Sequence, residues 1–339
     1  MKKFITKIDD MLVDSLNGFA TAHADLVNLH LDPHFITRKN KSANKVAVIS
    51  GGGSGHEPLH SGYIGYGMLD AACPGHVFTS PTPDQMLAAA EAVHADKGIL
   101  FIVKNYAGDV MNFEMAAEML PFEHATVLTS DDVAVTNSTY TTGRRGVAGT
   151  MIVEKCIGSL AETGASLQAC KALGDKVNSR TASMGVALTS CTVPAAGRPT
   201  FDIDDNELEM GVGIHGEPGR RREAMREADV IVKDLVAAIL EDLESVHLKA
   251  FDINSGETSE ALLMINGFGA TPLMELYLLY NLAAKLFNQH GLQISRSLVG
   301  NYTTALDMAG ASITICLLDD EIKQHWDSPV HTSALRWGR

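Results

Sequence analysis

The apolar positions in the first half of the chain fall into two recurring patterns. Apolar side chains at spacings of three and four residues are typical of one face of an amphipathic helix. Short runs of consecutive apolar residues that end abruptly in a loop are typical of buried parallel strands. These patterns predict strands at 46–49, 98–104 and 126–129, and helices at 5–19, 110–120 and 150–162.

The second half of the chain has a different sequence pattern. Turn-rich and glycine-studded segments occupy 192–197 and 209–219. A run of three arginines follows, and we predict that it begins a long, charged, solvated helix over about 221–244. Further along, the pattern indicates a strand-loop-helix unit at 262–272 and a last strand near 312–318.

Strands that alternate with helices predict an α/β architecture, in which ligands usually bind beyond the carboxyl ends of the strands. A length of 339 residues is enough for two domains with separate cores. We place the boundary where the sequence pattern changes, which gives domains at 1–183 and 184–339. The predicted fold class is therefore two α/β domains, each with a mixed or mostly parallel sheet flanked by helices.

The charge balance excludes several classes of function. The chain has 27 Lys and Arg against 41 Asp and Glu, a formal net charge of −14, which repels phosphate backbones and anionic membrane surfaces. We therefore expect no nucleic acid and no membrane as a partner. No apolar stretch approaches the length of a membrane span, and acidic residues interrupt the N-terminus before any signal-peptide core. Both observations favour a cytoplasmic protein.

The cysteines and histidines predict no disulfide and no metal site. The five cysteines lie far apart and form no CxxC pair, which favours buried thiols in a reducing compartment. The 13 histidines include no HxxxH, HExxH or His-Cys cluster, so we expect no metal ion bound by this chain.

A glycine-rich segment, 50–58, follows the first predicted strand. Such a segment exposes backbone N–H groups and lets a small ligand approach closely. A nucleotide loop is disfavoured, because no Lys-Ser/Thr pair follows and His56 stands where the third glycine of a GxGxxG pattern would fall. His56 is therefore either an ordinary turn histidine or an imidazole at the tip of a ligand-binding loop.

Two further positions carry candidate chemistry. Asp109 lies five residues after Lys104, at the end of the second predicted strand. A carboxylate there can accept a proton from a hydroxyl substrate, but Asp is equally a common helix N-cap, and the spacing does not separate these roles. His215 lies between glycines, which leave room around the imidazole, although a turn histidine would fit the same pattern.

The arginine pair Arg144 and Arg145 also has two interpretations. The pair can bind an anion or a partner surface, but structural pairing with Asp131 or Asp132 is favoured, since both carboxylates lie a short distance before it in the chain. We therefore predict an internal ion pair here.

Several segments, taken together, resemble the dihydroxyacetone-binding subunits of dihydroxyacetone kinases. They run in order through nearly the whole chain, which makes the resemblance more specific than any single motif. The segments are 50–58, 73–84, 104–109, 143–148, 191–197, 211–219, 269–272 and 329–332.

The resemblance implies a two-domain α/β subunit, typically a homodimer, with its active site between domain loops. It implies that His215 forms a reversible covalent hemiaminal with the carbonyl carbon of dihydroxyacetone. His56 and Asp109 would serve proton transfer and orient the hydroxyl groups. Gly53 and Lys104, with the neighbouring Ser54 and Gly55, would bind the substrate.

The resemblance also implies how the phosphoryl group arrives. Relatives of the single-chain, ATP-dependent form carry an additional nucleotide domain, whereas this chain is similar to the separate-subunit form. That form needs no cofactor in this chain, and a nucleotide-binding partner subunit carries ADP or ATP with Mg²⁺. A phosphotransferase-system donor subunit rephosphorylates that nucleotide and so acts on this chain only indirectly. The alternative is a non-catalytic paralogue that senses dihydroxyacetone and acts as a transcriptional co-regulator.

Overall fold

The computed structural model describes residues 2–135, 143–217, 219–247 and 259–339, with side chains up to residue 244 in the third range. Contacts divide the chain into two compact units. Unit 1 comprises Met1–Thr129, Thr150–Val177 and Ile322–Arg339, and unit 2 comprises Ser130–Gly149 and Asn178–Glu321.

Unit 1 is built on a six-stranded mixed sheet. Its strands are β1 (Val27–Leu31), β2 (His34–Arg38), β3 (Ala47–Ser54), β4 (Ala71–Val77), β5 (Ile99–Lys104) and β6 (His124–Thr129). The strand order is β1-β2-β4-β3-β5-β6, in which β4, β3, β5 and β6 are parallel and β1 and β2 add antiparallel pairs. Every residue of β3 and β5 is buried, as expected for central parallel strands with both faces covered.

Helices cover this sheet. The helices are α1 (Met11–Ala22), a 3₁₀ turn at Ser61–Tyr63, α2 (Pro83–Val93), α3 (Ala107–Met119), α4 (Gly149–Glu162) and α5 (Leu167–Ser179). Buried apolar residues of α2 and α3 pack with those of β3 and β5 in one core.

Unit 2 has a second six-stranded sheet, which is mixed but largely antiparallel. Its elements are β7 (Thr181–Ala187), β8 (Glu207–Met210), β9 (Arg221–Ala224), α6 (Ala228–His247), β10 (Ser259–Gly267), α7 (Leu273–Gln289), β11 (Leu292–Gly300) and β12 (Gly310–Leu317). The order is β11-β10-β12-β7-β8-β9, in which β10 and β11 are parallel and the other neighbouring strands are antiparallel. The last elements of the chain are α8 (Asp320–Asp327), β13 (Val330–His331) and β14 (Arg336–Trp337). From Ile322 onward these residues belong to unit 1.

Two α/β units with mixed sheets confirm the predicted fold class. The helices predicted at 110–120 and 150–162 and the strands predicted at 98–104 and 126–129 are present, with end shifts of a few residues. No helix in the described part of the chain combines the length and the apolarity that a membrane crossing requires.

The N-terminal helix prediction is wrong in its first turns. The helix begins at Met11, after the N-cap residue Asp10, and Leu16 is its buried residue. Ile8 is 46% exposed, so the apolar spacing before Met11 has no core to pack against. An apolar periodicity does not by itself form a helix, because most of the stability of a helix comes from burying its apolar face.

The predicted strand end at residue 49 is also wrong, because β3 continues through the glycines to Ser54. Gly51, Gly52 and Gly53 pair in parallel register with β4. The absence of a side chain makes this pairing possible: a Cβ on Gly51 would lie 2.6 Å from the carbonyl oxygen of Cys73. The glycines therefore extend the strand.

The arginine run begins a strand and not a helix, which corrects the prediction for about 221–244. β9 pairs antiparallel with β8, and Arg222 Nε donates to Glu209 Oε2 at 3.1 Å. β9 lies at the edge of the sheet, where charged side chains discourage pairing with other chains. Helix α6 begins only at Ala228.

Candidate functional site

The glycines of β3 make room for a buried lysine. Lys104 is the last residue of β5, the neighbouring parallel strand, and its side chain is fully buried. A Cβ on Gly52 would overlap Lys104 Nζ. The ammonium donates to the carbonyl oxygen of Gly51 at 3.2 Å. The carboxyl ends of β3 and β5 therefore form one polar site.

Asp109 lies beside this ammonium, in the first turn of α3. Its Oδ2 is 3.3 Å from Lys104 Nζ. Its Oδ1 is buried and makes no hydrogen bond to the described residues. Tyr106, not Asp109, is the N-cap residue of this helix, so the N-cap interpretation is wrong. Its place in the first turn also puts the side chain near the positive end of the helix dipole.

His56 lies in the turn that follows β3. The residue before it, Gly55, has φ of 104°, a left-handed conformation that favours glycine. The imidazole is 1% exposed and stacks on the Phe78 ring, with centroids 5.0 Å apart and planes 16° apart. Ser54 Oγ donates to the carbonyl oxygen of Gly75 at 2.7 Å. The hydroxyl of Ser54 thus anchors this turn to the end of β4.

A second histidine and a glutamate in unit 1 escaped prediction from the sequence. His60 Nε2 is 3.1 Å from Lys104 Nζ, and His60 Nδ1 is 2.5 Å from Glu154 Oε1. His60 also lines a small pocket together with Gly52 and Gly53. A usable signal was present, because two charged residues, Glu154 and Lys155, interrupt an apolar stretch of α4.

Burial and charge set the protonation of these two side chains. Desolvation by burial, together with the charge of Lys104 and the neighbouring His56, holds the pKa of His60 well below its usual 6.5. Burial raises the pKa of Glu154 from 4.5 to about 8, although Lys104 opposes this shift. His60 is therefore a neutral imidazole at neutral pH.

The remaining candidate, His215, is built on unit 2. It follows β8 in a glycine-containing loop and is partly buried. Its backbone N–H donates to Glu217 Oε2 at 2.9 Å. Gly216 has φ of 69°, and a Cβ there would lie 2.9 Å from Cys191 Sγ. Glycine is thus required next to the histidine.

A buried arginine holds the loop that carries His215. Arg145 Nη1 donates to Glu217 Oε1 at 3.1 Å, and its Nη2 donates to the carbonyl oxygen of Gly211 at 2.7 Å. Its Nε donates to Asp132 Oδ2 at 2.8 Å, which confirms the predicted internal pairing of Arg145. The prediction is wrong for Arg144, whose ion-pair partner is Asp242.

The structure thus brings together six of the seven candidate site residues within unit 1. They cluster at the carboxyl ends of β3 and β5 and are Gly53, Ser54, Gly55, His56, Lys104 and Asp109. Across the described ranges, no cluster of three or more His, Cys, Asp or Glu side chains is arranged to hold a metal ion. All five cysteines are buried, as predicted.

The fold and the site define a two-unit α/β protein with a buried Lys-Asp pair at the carboxyl end of a central strand. Sequence comparison gives the family of this chain. The chain belongs to the Dak1 domain family, whose model matches residues 17–334.

Among full-length relatives, the PEP-dependent dihydroxyacetone kinase, dihydroxyacetone-binding subunit DhaK, of Escherichia coli (strain K12) is 48% identical over 358 residues, covering 100% of both chains. The corresponding subunit of PTS-dependent dihydroxyacetone kinase 1 of Listeria innocua is 47% identical and covers 95% of both.

Solved structures of the same fold include both a kinase and a regulator. The dihydroxyacetone kinase of C. freundii matches with a TM-score of 0.85 and 33% identity, and the match covers 99% of this chain and 60% of that one. The dihydroxyacetone kinase operon co-activator Dha-DhaQ also matches with a TM-score of 0.85, at 30% identity, covering 95% of this chain and 97% of that one.

Proposed function

We propose that this chain is the dihydroxyacetone-binding subunit of a phosphotransferase-system-dependent dihydroxyacetone kinase. The observation that carries the proposal is the buried pair of Lys104 and Asp109 beside the glycines of β3, with a carboxylate oxygen that no described residue engages. A base held next to a cation, at the carboxyl end of a glycine-rich strand, suits a small polyhydroxy substrate. The names of the full-length relatives support the same substrate.

In the first step, a ring nitrogen of neutral His215 adds to the carbonyl carbon of dihydroxyacetone. A C–N bond forms, and the π electrons of the C=O bond move to the oxygen, which gains a proton while the imidazolium loses one. His56 transfers this proton. Glycerol has no carbonyl group and cannot form the adduct, so bond formation itself provides selectivity.

In the second step, the oxygen of a terminal hydroxyl group of the substrate attacks the terminal phosphorus of a nucleotide. Asp109 accepts the proton of this hydroxyl group. The new P–O bond forms as the bond to the nucleoside diphosphate breaks. Lys104 and the backbone of Gly53, Ser54 and Gly55 bind the substrate hydroxyls. The nucleotide and its Mg²⁺ belong to a partner subunit, which a phosphotransferase-system protein recharges.

We assign the chain to a cytoplasmic homodimer that meets the nucleotide-binding subunit transiently. Its net charge of −14 suits protein partners better than nucleic acids or anionic membranes.

The kinase is favoured over the dihydroxyacetone-sensing co-regulator. The kinase subunits of E. coli and L. innocua are 48% and 47% identical to this chain, whereas the co-activator is 30% identical. The chain also retains the complete set of His56, Asp109 and His215, and a sensor needs no base for phosphoryl transfer.

Carbon NMR tests the covalent step without a partner subunit. Dihydroxyacetone labelled at its carbonyl carbon is mixed with the wild-type chain and with His215→Ala. We expect a protein-bound tetrahedral-carbon signal in the wild type and none in the variant. The absence of this signal in the wild type at saturating substrate would refute the proposal. Formation of dihydroxyacetone phosphate with a nucleotide-binding subunit then separates kinase from sensor.

A further inference from the structure

Four buried side chains in unit 1 form a continuous line of contacts. The line runs from Asp109 Oδ2 to Lys104 Nζ at 3.3 Å, from Nζ to His60 Nε2 at 3.1 Å, and from His60 Nδ1 to Glu154 Oε1 at 2.5 Å. Lys104 and Glu154 are 0% exposed. The first two members belong to the proposed site, and the last two have no assigned role.

The chemistry of the donors fixes the direction of these hydrogen bonds. An ammonium group can only donate, so His60 Nε2 is the acceptor from Lys104. Neutral His60 must then carry its proton on Nδ1 and donate it to Glu154 Oε1. Glu154 therefore selects the one tautomer of His60 that can accept a hydrogen bond from Lys104.

The acceptors around Lys104 account for all three hydrogens of its ammonium group. They are Asp109, His60 and the carbonyl oxygen of Gly51. A buried ammonium that loses an acceptor bears an uncompensated desolvation cost, so it moves to find another. Such a movement would draw it away from Asp109 or pull the carboxylate out of line.

We propose that His60 and Glu154 are positioning residues for phosphoryl transfer: Glu154 sets the tautomer of His60, and His60 holds the ammonium of Lys104 against Asp109. The inference rests on the proposed function, since it concerns the base that accepts the hydroxyl proton. Glu154 needs only to present an acceptor oxygen, which a protonated carboxyl group does as well as a carboxylate. An amide in its place can do the same.

The test compares Glu154→Gln with Glu154→Leu and adds His60→Leu, each assayed with a nucleotide-binding subunit. Misplacing a catalytic group by about 1 Å costs roughly 100-fold in rate, so we expect kcat to fall about 100-fold in Glu154→Leu and His60→Leu. Glu154→Gln keeps the acceptor oxygen and should stay within about threefold of wild type. The hemiaminal signal at saturating substrate should persist in all three, because His215 is held by contacts within unit 2.

A matched control removes a buried histidine elsewhere in unit 1. His325 Nδ1 is 3.1 Å from Ser159 Oγ and has no place in the line of contacts, so His325→Leu should leave kcat within about threefold of wild type. Wild-type kcat in Glu154→Leu, or equal losses in Glu154→Gln and Glu154→Leu, would overturn the inference. Failure of the proposed function is distinct, because the wild-type chain itself would then give neither hemiaminal nor product.

Discussion

The guanidinium of Arg145 donates to Glu217 Oε1 at 3.1 Å, while the other oxygen of this carboxylate accepts the backbone N–H of His215 at 2.9 Å. Arg145 is buried and is itself held by Asp132. An ionic chain inside unit 2 thus fixes the backbone at the histidine that we propose as the nucleophile. Its loop is anchored although it contains four glycines.

We predict that Glu217→Ala weakens hemiaminal formation by more than about tenfold, because the N–H of His215 loses its acceptor and the Arg145 charge loses a partner. Glu217→Gln keeps an acceptor oxygen and should weaken the adduct by less than Glu217→Ala. Titration of the carbon NMR signal with labelled dihydroxyacetone measures both effects. An unchanged signal in Glu217→Ala would show that the loop needs no such anchor.

Replacing Asp109 should separate adduct formation from phosphoryl transfer. Asp109→Asn keeps the size of the side chain but cannot accept a proton, so we expect turnover to fall by about 100-fold or more, the usual contribution of a general base. The hemiaminal signal should remain close to that of the wild type. The measurement pairs product formation with carbon NMR on the same preparation, and unchanged turnover would rule out Asp109 as the base.

Gly52→Ala should lower turnover without unfolding the protein. The new Cβ would overlap Lys104 Nζ, and this group is the end of a flexible side chain that can shift away from Asp109. Turnover should fall at least tenfold while cooperative unfolding is retained. Gly18→Ala is the control: Gly18 lies in α1 with nothing within 4 Å of the new Cβ, and the change should stabilise the fold by about 0.5–1 kcal/mol. Full activity in Gly52→Ala would contradict the prediction.

Glu154 should make stability depend on pH near neutrality. Burial raises the pKa of this carboxyl group to about 8 from 4.5, so the folded state binds its proton more tightly than the unfolded state does. Its stabilising contribution is complete below about pH 4.5 and is lost as the pH rises towards about 8. Glu154→Gln cannot ionise, so the free energy of unfolding of wild type minus that of the variant should decrease between pH 5 and pH 8.

Denaturant titrations of both proteins at several pH values give this difference, in which the other ionisable groups cancel. A difference that stays constant across the range, or that rises with pH, would contradict the assigned burial of Glu154.

The cysteines should be unreactive in the native protein. All five are buried, and burial raises the pKa of Cys170 and of Cys316 to about 11, so little thiolate forms near pH 8. We expect no rapid labelling by a thiol reagent under native conditions and five labelled thiols after unfolding. A rapidly labelled cysteine in the native protein would reveal an exposed or locally opened site.

Local patterns predicted those elements whose residues pack as their spacing suggests. The strand β5 and the helix α3 that follows it were predicted correctly, with Lys104 and Asp109 on either side of their junction, because a buried strand and an amphipathic helix each leave a short-range periodicity in the chain. The strand character of the arginine run escaped prediction, since an edge strand is defined by its pairing partner, β8, and has no apolar alternation of its own.

The sequence by itself determined the two α/β units, the glycine segment before His56 and the family resemblance, because each rests on neighbouring residues or on motifs in order. Only the tertiary structure decided that Gly52 makes room for Lys104 and that Glu154 and Glu217 support the site. His60 and Glu154 lie 94 positions apart in the chain, and Arg145 and Glu217 lie 72 apart. Such partners are selected by the cost of burying a charge or a polar group without a hydrogen bond, a cost that exists only after the chain has folded.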